Sequence, residues 1–186
     1  MEADKSPPGH GEHREIGAAP LRPAGSGKDA SRPLFLALAT LALLYAAVVN
    51  IRTVVDTDIG WQLATGRYMV EQREVPRRAV FSYTAAANEW IYPPLAELIF
   101  YAAYRLGGFA ALTWLGVATC TGTVAVLLRH GGIGTAALAV IAVPAMGYHT
   151  LPRAGMFTPL LFASVLSLLW EHHRRGRAAL WLLPVL

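Results

Sequence analysis

Residues 34–49 read LFLALATLALLYAAVV, and this stretch decides the fold class. It carries no charged side chain and extends through Ile51 to Val55. About 20 helical residues are needed to cross the roughly 30 Å hydrocarbon core of a bilayer. The whole chain agrees with this reading, since 54% of its 186 residues are hydrophobic, 15% are charged and the mean hydropathy is +0.39. We therefore predict an all-α membrane protein.

Further apolar runs predict more membrane helices. They cover Phe109 to Leu128, Gly131 to Leu151 and Met156 to Trp170, and another run begins near Ala178. The predicted fold is a multipass bundle with four complete spans, about 34–55, 109–128, 131–151 and 154–170, and an incomplete fifth at 178–186. A helix of nine residues cannot cross a bilayer, so we expect a fragment or a truncated gene product.

Charge and composition predict the topology. Residues 1–33 are rich in Pro, Gly, Ala and charge, which predicts a disordered tail. Basic residues flank the spans on one side, namely Arg22, Lys28, Arg32, Arg129, Arg174, Arg175 and Arg177. Lys and Arg are enriched in cytoplasmic loops, so the N-terminus is predicted to be cytoplasmic and the loop 56–108 to lie outside. The net charge of +4 forms no basic domain, which argues against a nucleic-acid partner.

The outer loop 56–108 shows internal organisation. Asp58 is a candidate cap for a helix from Ile59 to about Glu71, whose apolar stripe comprises Ile59, Leu63, Tyr68 and Met69 or Val70. A second amphipathic stretch, Leu95 to Leu106, carries Glu97 and Arg105 and ends at Gly107 and Gly108. We expect two amphipathic helices lying on the membrane surface.

Several segments in order resemble a known family. They are Asp56-Thr57-Asp58 followed by Trp61, Leu63 and Thr65-Gly66-Arg67; Phe81-Ser82-Tyr83-Thr84; Trp90; Leu95-Ala96-Glu97-Leu98; and Arg153-Ala154-Gly155-Met156-Phe157-Thr158. Over residues 34–186 the chain resembles the N-terminal portion of bacterial polytopic glycosyltransferases of the GT-C fold. The resemblance implies transfer of a sugar from a polyprenyl-phosphate donor to an acceptor at the outer face of the bacterial inner (plasma) membrane.

Candidate roles follow from this chemistry. Asp56 is the candidate base that takes the acceptor proton, and Arg153, with Arg67 as second choice, is the candidate ligand of the donor phosphate. Asp58 is expected to be a helix cap or a metal ligand. Trp61 and Trp90 either stack on a sugar or anchor the loop at the interface. The expected partners are the lipid bilayer and the lipid-linked sugar, and a divalent cation remains open as cofactor.

A second hypothesis is that the protein is not an enzyme. Family members often have Trp-Trp-His where this chain has Gly60-Trp61-Gln62, and His-Glu-Trp where it has Tyr92-Pro93-Pro94. The absence of these histidines favours a non-enzymatic multipass protein or an inactive truncated paralogue. His149, near Arg153, either assists proton transfer or is an ordinary interfacial histidine beside Tyr148. The sequence identifies neither the sugar, nor the acceptor, nor the oligomeric state.

Overall fold

The computed structural model describes residues 27–81, 89, 92–146, 151–176 and 180. Their regular elements are the helices α1 (Gly27–Val49), α2 (Ile59–Gln72), α3 (Pro94–Leu128), α4 (Ile133–Met146) and α5 (Thr158–Arg175), with a 3₁₀ turn at Ala154–Phe157 before α5. An isolated antiparallel bridge joins Arg78 to Glu89. The predicted all-α class is therefore confirmed for the described residues.

Within the described residues, three helical segments are long and apolar enough to cross a membrane: Ser31–Val49, Pro94–Leu128 and Ala154–Arg174. Helix α4 is also apolar but has 14 residues, or about 21 Å of helix, which is less than the hydrocarbon core. The described residues thus contain three candidate spans, and the predicted count of four is not confirmed. The predicted fifth segment, 178–186, lies outside the described residues except for Leu180.

Helix α1 differs from the predicted span at both ends. It begins at Gly27, so residues 27–33 are helical although the sequence placed them in the disordered tail. It ends at Val49, well before Val55, because side chains bind the carbonyl groups of its last turn. The Asn50 amide donates to the Ala46 carbonyl at 2.7 Å, and Arg52 Nε donates to the Val49 carbonyl at 3.1 Å. Residues 51–56 then form an irregular segment that leads into α2.

Helix α3 joins two elements that the sequence separated. Its backbone leaves helical geometry at Gly107 (φ −159°, ψ 23°) and Gly108 (φ 61°, ψ −147°). The dihedral angles of Gly108 belong to a region that residues with a Cβ rarely adopt. The part before this kink corresponds to the predicted surface helix, and the part after it to the predicted second span.

Helix α2 packs on the first half of α3. The buried residues of α2 are Ile59, Gln62, Thr65, Gly66 and Met69. Gly66 allows this packing, because a Cβ there would lie 2.6 Å from the Tyr101 Cβ and closer still to the Glu97 carbonyl oxygen. In the predicted apolar stripe, Ile59 and Met69 are buried and Leu63 and Tyr68 are half-buried, while Val70, the alternative to Met69, is exposed. The buried face also includes two polar side chains, Gln62 and Thr65.

Two apolar clusters hold the bundle together. In the first, Ala42 and Ala46 of α1 let α4 approach closely, and Cys120 and Val124 of α3 complete the contact. The second cluster lies where α2, α3 and the 3₁₀ turn meet. Its buried members are Ile59, Ala96, Phe100, Leu112 and Met156. This second cluster supports the candidate site.

Candidate functional site

An ion pair joins the segment before α2 to the segment before α5. Arg153 Nε donates to Asp56 Oδ2, and Arg153 Nη2 donates to Asp56 Oδ1 at 3.1 Å. The same Nη2 lies 3.3 Å from Asp58 Oδ2. Two parallel bonds between a guanidinium and a carboxylate form a strong and directional contact. The structure thus brings together three of the residues that the sequence singled out.

Asp56 is the enclosed member of this group. Its side chain is 1% exposed, whereas those of Arg153 and Asp58 are 46% and 45% exposed. The hydrogen bond from Arg153 is the main reason that the pKa of Asp56 lies below its ordinary value. The Asp58 backbone N–H and the charge of Arg153 also lower it, and burial opposes them. Asp56 is therefore an ionised residue, with both oxygens bonded, that positions Arg153.

Asp58 does not cap helix α2 with its side chain, although the sequence predicted that it would. Helix α2 begins at Ile59 as predicted, but the Asp58 side chain makes no cap hydrogen bond, and its backbone is already helical (φ −76°, ψ −17°). Instead, Asp56 Oδ1 accepts the Asp58 N–H at 3.0 Å, which is the turn that aspartate side chains favour. The carboxylate of Asp58 is then directed to Arg153.

A cleft lies beside this ion pair. It encloses about 520 Å³, including the space open to solvent. The lining residues are Asp58, Trp61, Gln62, Tyr92, Pro93, Glu97, Arg153, Ala154 and Gly155. Trp61 and Tyr92 form an aromatic contact, with ring centroids 4.3 Å apart and planes inclined at 52°. The cleft therefore combines a cation, carboxylates and aromatic rings.

Two polar side chains in the cleft are almost fully buried. Gln62 on α2 is 6% exposed and Glu97 on α3 is 2% exposed. The sequence placed neither residue in the site. A signal for Glu97 existed, because the spacing of Ala96, Glu97 and Phe100 places the acid on the same face of a helix as buried apolar residues.

The apolar cluster beneath the cleft fixes these side chains. Ile59 directly follows Asp58, Met156 lies three residues after Arg153, and Phe100 lies one helical turn after Glu97. Phe100 also stacks on Phe157, with ring centroids 5.8 Å apart and planes inclined at 20°. Each charged residue of the site is thus carried by a backbone segment with a buried apolar anchor.

Other predicted residues lie elsewhere. Arg67, the second candidate for phosphate, does not line the cleft, and its Nε donates to Glu71 Oε1 at 2.7 Å on an exposed face of α2. This hydrogen bond is the main cause that raises the pKa of Arg67. Trp61 lines the cleft as described. Trp90 and His149 lie outside the described residues.

The described residues contain no group of three or more His, Cys, Asp or Glu side chains that could hold a metal ion. Two carboxylates, Asp58 and Glu97, nevertheless line the cleft. Comparison of the chain with protein-family models, with curated proteins and with solved structures gives no match.

Proposed function

We propose that the chain is a membrane glycosyltransferase, or the N-terminal part of one. It transfers a sugar from a polyprenyl-phosphate donor to an acceptor hydroxyl at the outer face of the bacterial plasma membrane. The observation that carries the proposal is Arg153, held by Asp56 and Asp58 beside a cleft with aromatic and buried polar walls. The motif resemblance supplies the reaction class.

Arg153 binds the phosphate of the donor in this scheme. A guanidinium presents five N–H donors in a rigid fork and stays charged, which suits a phosphate group. Asp56 fixes its orientation from the buried side, and nearly half of the Arg153 side chain remains exposed. A positioned cation stabilises the negative charge that develops on the phosphate as it departs.

The net charge of Arg153, Asp56 and Asp58 indicates whether a metal ion would help to bind the donor phosphate. Arg153 contributes one positive charge, and ionised Asp56 and Asp58 contribute two negative ones, so the three groups sum to −1. This excess weakens the attraction for a phosphate. Mg²⁺ is commonly held by only one or two protein carboxylates and otherwise by substrate phosphates and water, so a divalent cation that accompanies the donor would need few ligands from the protein. The cation would offset the excess charge at the phosphate.

The base that activates the acceptor is a carboxylate at this end of the bundle. The resemblance implies Asp56, but Arg153 bonds both carboxylate oxygens of Asp56 and the Asp56 side chain is 1% exposed, whereas only Oδ2 of Asp58 lies near Arg153. Asp58 lines the cleft and is half exposed, so we assign the base to Asp58 and the positioning of Arg153 to Asp56. Asp58 takes the hydroxyl proton while the acceptor oxygen bonds to the anomeric carbon. The bond from that carbon to the phosphate oxygen breaks, and its electron pair leaves with the polyprenyl phosphate.

The test is sugar transfer by the chain in lipid nanodiscs, using polyprenyl-phosphate sugars and scoring acceptor products. Asp58→Asn is expected to lower kcat by about 100-fold or more while the donor still binds, because it removes a proton acceptor. Asp56→Asn should instead weaken donor binding. Full activity in Asp58→Asn would exclude that residue as the base. Comparing sugar transfer by the wild type with and without a chelator tests whether the reaction needs a divalent cation. A wild-type chain that transfers none of a panel of sugars contradicts the proposed function.

A further inference from the structure

Gln62 and Glu97 form a pair of buried polar side chains that the reaction scheme does not use. They come from facing helices, α2 and α3, and both line the cleft beside Arg153. The amide oxygen of Gln62 has no hydrogen-bond partner in the part of the chain that the structure describes. Buried polar groups in native proteins are nearly always hydrogen-bonded, so a buried amide oxygen of this kind points to a ligand.

The chemistry of the pair selects the kind of ligand. An amide oxygen and a carboxylate both accept hydrogen bonds, so their natural partners are hydroxyl groups. The terminal torsions of Gln and Glu are broad, and both side chains can therefore adjust to a ligand without movement of the helices. Gly66 keeps those helices close, and the next turn of α3 buries Phe100. The acceptors therefore stand on a rigid support.

The rest of the cleft fits a sugar linked to a phosphate. Trp61 and Tyr92 present aromatic surface on the same cleft, and Arg153 presents the cation. A hydroxylated ring has apolar faces that suit aromatic side chains and hydroxyl edges that suit hydrogen-bond acceptors. One ligand can meet all three features only if it combines an anionic group with a polyhydroxylated ring.

We propose that Gln62 and Glu97 form the subsite that recognises the hydroxyl groups of the donor sugar. This inference rests on the proposed function, because it assigns the sugar end of the donor to the cleft whose cation binds the phosphate. Gln62 accepts one sugar hydroxyl, Glu97 accepts a neighbouring one, and the ring lies against Trp61. The pair determines specificity for the sugar and contributes little to the binding of the lipid phosphate.

The experiment compares two ligands on the full chain in nanodiscs: a polyprenyl-phosphate hexose and the same polyprenyl phosphate without sugar. The wild type is expected to bind the hexose-bearing lipid about tenfold more tightly, because a sugar hydroxyl supplies the hydrogen bond that the buried amide oxygen of Gln62 lacks. Gln62→Leu and Glu97→Gln should reduce this ratio to near one and leave the affinity for the bare lipid phosphate unchanged. Gln72→Leu and Glu74→Gln, at exposed positions, serve as controls and should behave as the wild type.

Thermal unfolding distinguishes a loss of sugar recognition from a loss of folding in these variants. Gln62→Leu removes a buried amide, so its unfolding temperature should equal or exceed that of the wild type, while its preference for the sugar-bearing lipid falls. If Glu97→Gln does not fold, Gln62→Leu alone tests the subsite. Variants that discriminate as the wild type does, or a wild type that binds both lipids equally, overturn the subsite. A wild type that discriminates without transferring sugar overturns the transferase and leaves the subsite standing.

Discussion

Arg153 binds both carboxylate oxygens of Asp56 across 97 residues of sequence. The contact ties the irregular segment after α1 to the turn that precedes α5. Removing one partner of a buried ion pair is destabilising to the extent that the other charge is left without compensation, and here solvent and Asp58 still compensate Arg153 in part. The pair is thus both a structural connection and the support of the proposed phosphate ligand.

Asp56→Asn should lower the free energy of unfolding by about 1–3 kcal/mol, since it removes the charge that Arg153 neutralises while Arg153 keeps part of its solvation. Thermal unfolding in detergent measures the change. Arg67→Gln is the matched control, because it breaks an ion pair whose side chains are 66% and 50% exposed. Such an exposed pair contributes less than about 1 kcal/mol. Equal losses in the two variants would contradict the difference in burial.

The lowered pKa of Asp56 predicts a dependence of stability on pH. Because the pKa of Asp56 is depressed in the folded state, its contribution to the free energy of unfolding is fully present above the ordinary pKa of an aspartate side chain, about 3.9. It is lost as the pH falls through the folded value. The unfolding temperatures of wild type and Asp56→Asn should therefore differ at pH 7 and converge in strong acid. A gap that stays constant from pH 7 down to acid-induced unfolding would contradict this assignment.

Gly66→Ala should destabilise the contact of α2 with α3. The new methyl group would meet the Glu97 carbonyl and the Tyr101 Cβ, both too close for an ordinary contact. Overpacking of this kind costs about 1–3 kcal/mol. Gly60→Ala on the same helix meets nothing within 4 Å and should be neutral or slightly stabilising, since alanine favours helix. Thermal unfolding of both variants checks this, and a neutral Gly66→Ala would mean that the helices can separate freely.

Gly108→Ala tests the kink in α3. The positive φ of Gly108 is unfavourable for a residue with a Cβ, and the expected loss is about 1–3 kcal/mol. Gly134→Ala in α4 has open space around the new methyl group and should not lower the unfolding temperature. If the two variants unfold alike, the kink is not needed for the folded state.

Local patterns predicted much of the fold. The start of α2 at Ile59 and the break at Gly107 and Gly108 follow from turn signals and periodicity, which act over a few residues. The end of α1 at Val49 was missed because the side chains of Asn50 and Arg52 bind its last carbonyls, and apolar content does not reveal such bonds. The predicted span 131–151 is described only as far as Met146 of α4, so its full length stays a prediction.

The sequence identified several residues of the site but not the contacts between them. Asp56 and Arg153 were both predicted as site residues, yet sequence spacing could not show that each binds the other. Asp58 was expected to cap α2, but a capping contact depends on backbone angles that the sequence does not determine. Glu97 was taken for a residue of a surface helix, because its burial arises only when α2 packs on α3.

The most direct measurement of the central claim is the rate of sugar transfer by Arg153→Lys beside Arg67→Lys. Lysine keeps the charge that Asp56 requires but lacks the planar fork, so Arg153→Lys should fold and lose at least about tenfold in kcat/KM. Arg67→Lys should transfer sugar at the wild-type rate, because Arg67 lies outside the cleft. A fully active Arg153→Lys, or equal losses in both variants, would contradict the role of Arg153 as the phosphate ligand.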